Sequence, residues 1–178
     1  MKNQLSAIAA FFLSSVAAGA EGAPTPLIQH LDAGLLCAAE PVGATPAPDT
    51  IAGETHIIGQ EPDFVRLSQR VPATLGIGFG IKSQALGAEG IGNVDMVLTH
   101  PPMGQDQVTT QRFTTSISGI DPSLTFYQFD YAYELVLGTW TFTAMSGDDV
   151  IYTVNFEVVD PRQVPELSGL CVGLDLLS

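Results

Sequence analysis

The sequence predicts an all-β domain, an antiparallel sandwich or barrel, on three observations. From Thr50 onward apolar and polar residues alternate with period two, and Gly, Pro, Asn, Asp and Ser punctuate the chain at short, regular intervals. No apolar period of 3.6 residues is sustained beyond the first 20 residues. Roughly eight or nine short strands at such spacing suit sheets that pack face to face. No internal repeat is present.

The chain opens MKNQLSAIAAFFLSSVAAGA, in which Lys2 precedes an apolar run from Leu5 to Ala18 and the small residues Ala18, Gly19 and Ala20 follow. This is the pattern of a cleaved secretory signal peptide over residues 1–20. The apolar run is shorter than the roughly 20 residues of a membrane-spanning helix, and no cysteine follows it to carry a lipid. A mature chain from Glu21 is therefore expected to be periplasmic or secreted, with no membrane insertion after signal removal. Residues 1–20 hold one lysine and no acid, so cleavage takes the formal charge from −13 to −14 and leaves 158 of the 178 residues. That length is one ordinary domain. So acidic a chain repels phosphate backbones and anionic lipid, which argues against nucleic-acid and membrane-surface partners.

Residues 21–49 hold five of the 12 prolines, from Pro24 to Pro48. They read as a Pro-rich leader with one short strand, Ala33 to Ala39, around Cys37. Strands of the sandwich, residues 50–160, are expected at Glu54–Ile58, Phe64–Val71, Thr74–Lys82, Val94–Thr99 and Val108–Ile117. Three more are expected at Thr125–Leu135, Thr139–Met145 and Val150–Val159. In TFYQFDYAYEL the aromatic side is Tyr127, Phe129, Tyr131 and Tyr133, against Gln128, Asp130, Ala132 and Glu134, as a half-buried strand requires. TWTFTAM sets Trp140, Phe142 and Ala144 on one face, and VIYTVNFEVV answers with Val150, Tyr152, Val154, Phe156 and Val158. These rows face each other across a core centred on Trp140. Residues 161–178 form a tail, which a disulfide between Cys37 and Cys171 ties back, since an even cysteine pair in an exported chain is expected to be oxidised.

YAYELVLGTWTF followed by IYTVNFEVV resembles the closing hairpin of immunoglobulin-like bacterial surface and periplasmic domains. Taken together, GLLCAAEP, THPPMG and YELVLGTWTF resemble a family of short exported proteobacterial proteins of uncharacterised function. The resemblance spans Gly34 to Val159 and implies an immunoglobulin-like antiparallel β-sandwich of about 7–9 strands. It brings no catalytic residues. The chain departs from the antibody pattern in its cysteines, which lie near the two ends and form a terminal clasp instead of a pin between central strands.

TLGIGFGIKS places Gly76, Gly78 and Gly80 at every second position. The spacing is that of neither dinucleotide-binding nor P-loop glycines, and no helix follows, so the stretch reads as a strand with Leu75, Ile77, Phe79 and Ile81 inward. A bare glycine face marks a close approach. It is expected to lie under an aromatic ring such as Phe113 or Phe126, or else to bind a partner strand. THPPMG offers a second candidate, a stiff loop whose His100, Pro101, Pro102 and Met103 form a recognition tip. His30, His56 and His100 are far apart with no second ligand at i+2 or i+4, so no metal site is expected, and nothing points to a cofactor. No Gly-x-Ser-x-Gly elbow or calcium loop occurs. The expectation is a non-enzymatic exported module that binds an unknown protein or envelope component. The alternative is a small exported hydrolase that uses His100 with loop carboxylates.

Overall fold

The computed structural model describes residues 25–171, so the expected signal peptide and the end of the tail lie outside the described residues. The strands are β1 (Ile28–Cys37), β2 (Pro41–Pro46), β3 (Glu54–Ile58), β4 (Arg70–Pro72), β5 (Ile77–Ala85), β6 (Ile91–Met103), β7 (Val108–Ile117), β8 (Ser123–Gln128), β9 (Gly138–Ser146) and β10 (Asp149–Val159). A single turn of helix, α1 (Pro165–Ser168), follows.

Two sheets face each other, one in the order β1-β5-β8 and the other β4-β10-β9-β6-β7, while β2 and β3 form a separate hairpin. All pairings are antiparallel except β4 with β10. Lettered in chain order, β1, β5 and β8 take the places of strands A, B and E of the immunoglobulin fold, and β10-β9-β6-β7 those of G-F-C-C′. The strand order itself thus makes this an immunoglobulin-like sandwich. Among the described residues no sandwich strand fills the place beside E that strand D takes in that fold, so the outer edge of β8 is open.

Alternation explains the core. Ile77, Phe79 and Ile81 of β5 meet Trp140, Phe142 and Ala144 of β9 and Tyr152, Val154, Phe156 and Val158 of β10, all buried. Phe79 packs edge-on to Trp140 with ring centroids 5.5 Å apart, and lies 5.1 Å from Phe156. Trp140 is fully buried, its Nε1–H donating to the Val136 carbonyl at 3.1 Å, so burial leaves no polar atom of the indole without a partner.

The structure corrects several expectations about the strands. β5 starts at Ile77, because Thr74 to Ile77 is a turn with Ile77 N–H donating to Thr74 C=O and Gly76 at φ +80°. Leu75 is therefore exposed rather than inward. In β10 the register slips between Val150 and Tyr152, which turns Val150 outward and buries Ile151. The expected strand Phe64–Val71 shrinks to Arg70–Pro72, since residues 61–66 instead cross the outside of the three-stranded sheet as a strap. Glu61 caps Leu124 N–H of β8 at 3.0 Å, Lys82 of β5 bridges Glu61 and Asp63 at 3.2 Å each, and Arg66 pairs with Leu35 of β1. Finally, β1 is longer than a short strand around Cys37, and β2 forms within the Pro-rich stretch.

The ends meet as expected. Cys37 at the end of β1 is disulfide-bonded to Cys171, Cα atoms 5.4 Å apart, and Val164 and Leu167 of the tail plug into the core.

Candidate functional site

The glycine face is covered by the chain itself. Gly34 of β1 pairs in register with Gly80 of β5, and Gly78, two residues before Gly80, pairs with Leu36. A Cβ at Gly80 would stand 2.5 Å from Phe126 Cβ, one at Gly78 2.5 Å from Leu36 Cδ1, and one at Gly34 2.7 Å from Phe64 Cγ. Missing side chains are what let Phe126 and the strap lie this close. The Thr125 carbonyl and the Cα and Cβ of Phe126, one of the two residues expected there, close in on Gly80, whereas Phe113 stands on β7. Gly76 sits apart in its turn.

THPPMG is not a loop tip. β6 runs on through it to Met103, and His100 and Met103 are buried. The imidazole stacks on Trp140 with ring centroids 4.6 Å apart. His100 Nδ1 lies 2.8 Å from the Pro101 carbonyl, which can only accept, so the proton sits on Nδ1. Nε2 is then free to accept from Gln111 Nε2 at 3.0 Å, and Gln111 Oε1 accepts from Ile51 N–H at 3.0 Å. Burial holds the imidazole below its ordinary pKa of 6.5, partly offset by the bond to Pro101. His100 is thus a neutral strut that docks the β2–β3 hairpin onto β7. The hydrolase reading needed His100 beside a nucleophile or carboxylates in a pocket, and both of its nitrogens are engaged by other groups.

The residues that do converge line a cleft of about 450 Å³ at the open edge, between β7, β8 and the β2–β3 hairpin. Its position follows from the vacant D place. The hairpin spans the gap, held to β7 by the Ile51–Gln111 bond and by Arg112 N–H on the Asp49 carbonyl at 3.0 Å, and the space beneath it stays open.

One wall was expected to be the end of a strand to Leu135. β8 instead stops at Gln128, and a 3₁₀ turn follows at Ala132–Glu134. The cause is Glu134, which is buried. Its Oε2 accepts from Asp130 N–H at 2.7 Å and Tyr131 N–H at 2.8 Å, and its Oε1 accepts from the Tyr127 hydroxyl at 2.7 Å. Three donors on one carboxylate outweigh continuing the ladder. Burial, then the neighbouring Glu134, raises the Tyr127 pKa strongly, so its hydroxyl remains a donor. The turn swings Tyr131 and Tyr133 outward, 56% and 43% exposed, with rings stacked 5.4 Å apart and nearly parallel.

The lining carries the carboxylates of Glu54, Asp130 and Glu134 and the ring of His56, and no lysine or arginine is among the described residues that line it. His56 Nδ1 is 4.0 Å from Asp130 Oδ2, and Gln128 Nε2 donates to Asp130 Oδ1 at 2.9 Å. Among the described residues no group of His, Cys, Asp or Glu is arranged to hold a metal ion. No described helix is long and apolar enough to cross a membrane.

A family model matches residues 25–158. The chain belongs to the family described as domain of unknown function DUF3859. No curated protein matches it. Among solved structures, this DUF3859 domain is similar to an immunoglobulin-like protein from Pseudomonas aeruginosa, at 19% identity over 75% of this chain and 94% of that one, with a TM-score of 0.48.

The sequence placed neither Tyr131 nor Tyr133 in a site, because both continue the period of Tyr127 and Phe129. The available signal was the acid at each end of Asp-Tyr-Ala-Tyr-Glu, residues 130–134, which interrupts an otherwise aromatic strand end.

Proposed function

We propose that this domain is an exported, non-enzymatic binding module of the cell envelope, and that the cleft between β7 and β8 is where it takes its partner. The observation that carries the reading is the exposed, stacked pair Tyr131 and Tyr133, held at the mouth of the cleft by a fully engaged buried carboxylate. Rigid aromatics presented in this way supply contact area at little entropic cost. A concave site with a few fixed polar groups is the usual form of a binding pocket. Export is supported by the leader of the sequence and by the Cys37–Cys171 disulfide, which persists in an oxidising compartment.

Affinity capture from an envelope extract tests the reading, with the wild-type domain compared against the double variant Tyr131→Ala, Tyr133→Ala. A partner held by the wild type and lost by the variant, with the fold intact by circular dichroism, is expected. A partner held equally by both places the binding surface elsewhere.

A further inference from the structure

The backbone of β8 defines what shape of ligand its open edge accepts. Phe129 N–H donates to Ile77 C=O at 3.0 Å, which fixes the parity of the strand. Thr125 and Tyr127 therefore bond to β5, and the N–H and C=O groups of Leu124, Phe126 and Gln128 point the other way, into the open edge. Leu124 N–H is taken by Glu61. Among the described residues, the backbone groups of Phe126 and Gln128 on that edge pair with no other segment. Unpaired edges of this kind template the addition of an extended chain.

The cleft also sets the sign of the charge. Among the described residues three carboxylates and no lysine or arginine line it, and the chain as a whole carries −13. The exposed faces of Tyr131 and Tyr133 favour a cation passing over them. We infer that the edge of β8 takes an extended, basic peptide segment of a partner protein, hydrogen-bonded to Phe126 and Gln128 in the vacant place of strand D, with a Lys or Arg side chain against Asp130, Glu54 and the tyrosine pair. This rests on the cleft being the binding site.

The test uses heptapeptides alternating Lys or Arg with Thr or Val, added to the disulfide-bonded protein. They are compared with versions carrying Gln or Glu in place of the basic residues, and with a basic version N-methylated at alternate amides. Affinity is read by calorimetry and the site by amide chemical shifts. The basic peptide is expected to bind about tenfold tighter than the Gln version, as for two or more ion pairs at the cleft. It is also expected to weaken with salt, to lose binding on N-methylation, and to shift the amides of Phe126 and Gln128. Asp130→Asn and Glu54→Gln are each expected to weaken it about 2- to 5-fold.

Equal binding of the Gln or Glu peptides overturns the charge assignment while leaving the cleft as the site. Indifference to N-methylation, or equally tight binding of argininamide alone, overturns strand addition in favour of a small cation. A concentration-dependent dimer that competes with the peptide overturns it in favour of a second copy. Failure of every peptide, with a partner still captured through Tyr131 and Tyr133, overturns this inference alone. Basic peptides that bind but shift only amides outside the cleft overturn both readings.

Discussion

Tyr127 donates its hydroxyl proton to Glu134 Oε1 at 2.7 Å, and the other oxygen of that carboxylate receives two backbone N–H groups, so one side chain both ends β8 and sets the cleft wall. Replacing Glu134 by Gln keeps the shape but turns an NH₂ toward groups that are themselves donors. We expect Glu134→Gln to destabilise the domain by about 1.5–3 kcal/mol, the range for a buried bond to a charged acceptor. A urea midpoint equal to that of the wild type would remove Glu134 from this role.

Much of the fold was legible because alternation reports burial directly. β3 and β7 fall at the expected residues and Trp140 sits in the core, but the rows of β9 and β10, expected to face each other, lie side by side in one sheet and meet β5 across the core. The departures share a physical origin. Alternation cannot see a side chain that competes with the ladder, as Glu134 does, nor a one-residue slip such as that before Tyr152. It also cannot see the pairing partner. THPPMG looked like a loop because two prolines remove donors, yet a register irregularity between Thr99 and Met103 lets β6 carry them.

His100 supplies a pH dependence. Its folded pKa lies below the ordinary 6.5, so the unfolded chain takes up the proton first. The stability is intact above pH 6.5 and is lost as the pH falls through that value toward the folded one, at up to about 1.4 kcal/mol per pH unit. In denaturant titrations between pH 7 and 5, His100→Asn should show a shallower loss than the wild type. Parallel pH profiles would contradict the buried neutral assignment.

The glycine contacts predict a contrast between two exchanges of the same kind. Gly80→Ala meets Phe126 and should cost about 1–3 kcal/mol by overpacking. Gly92→Ala on β6 meets nothing within 4 Å and should change stability by less than about 1 kcal/mol. Thermal unfolding of the two variants checks the order, and equal losses would mean that β8 around Thr125 and Phe126 yields.

The Cys37–Cys171 bridge closes a loop of 134 residues and should contribute roughly 5 kcal/mol through the unfolded state. Non-reducing mass spectrometry of the protein purified without reductant should find no free thiol, and reduction should lower the urea midpoint. Two free thiols, or an unchanged midpoint, would refute the clasp.

The proposed binding site is the open edge between β7 and β8. Amide chemical-shift mapping of the isotope-labelled protein with its captured partner tests it most directly. Shifts are expected to concentrate at Phe126, Gln128, Asp130, Tyr131 and Tyr133. Shifts confined to the strap at residues 61–66 or to Thr99, His100 and Met103 around the two prolines, with the cleft unchanged, would contradict it.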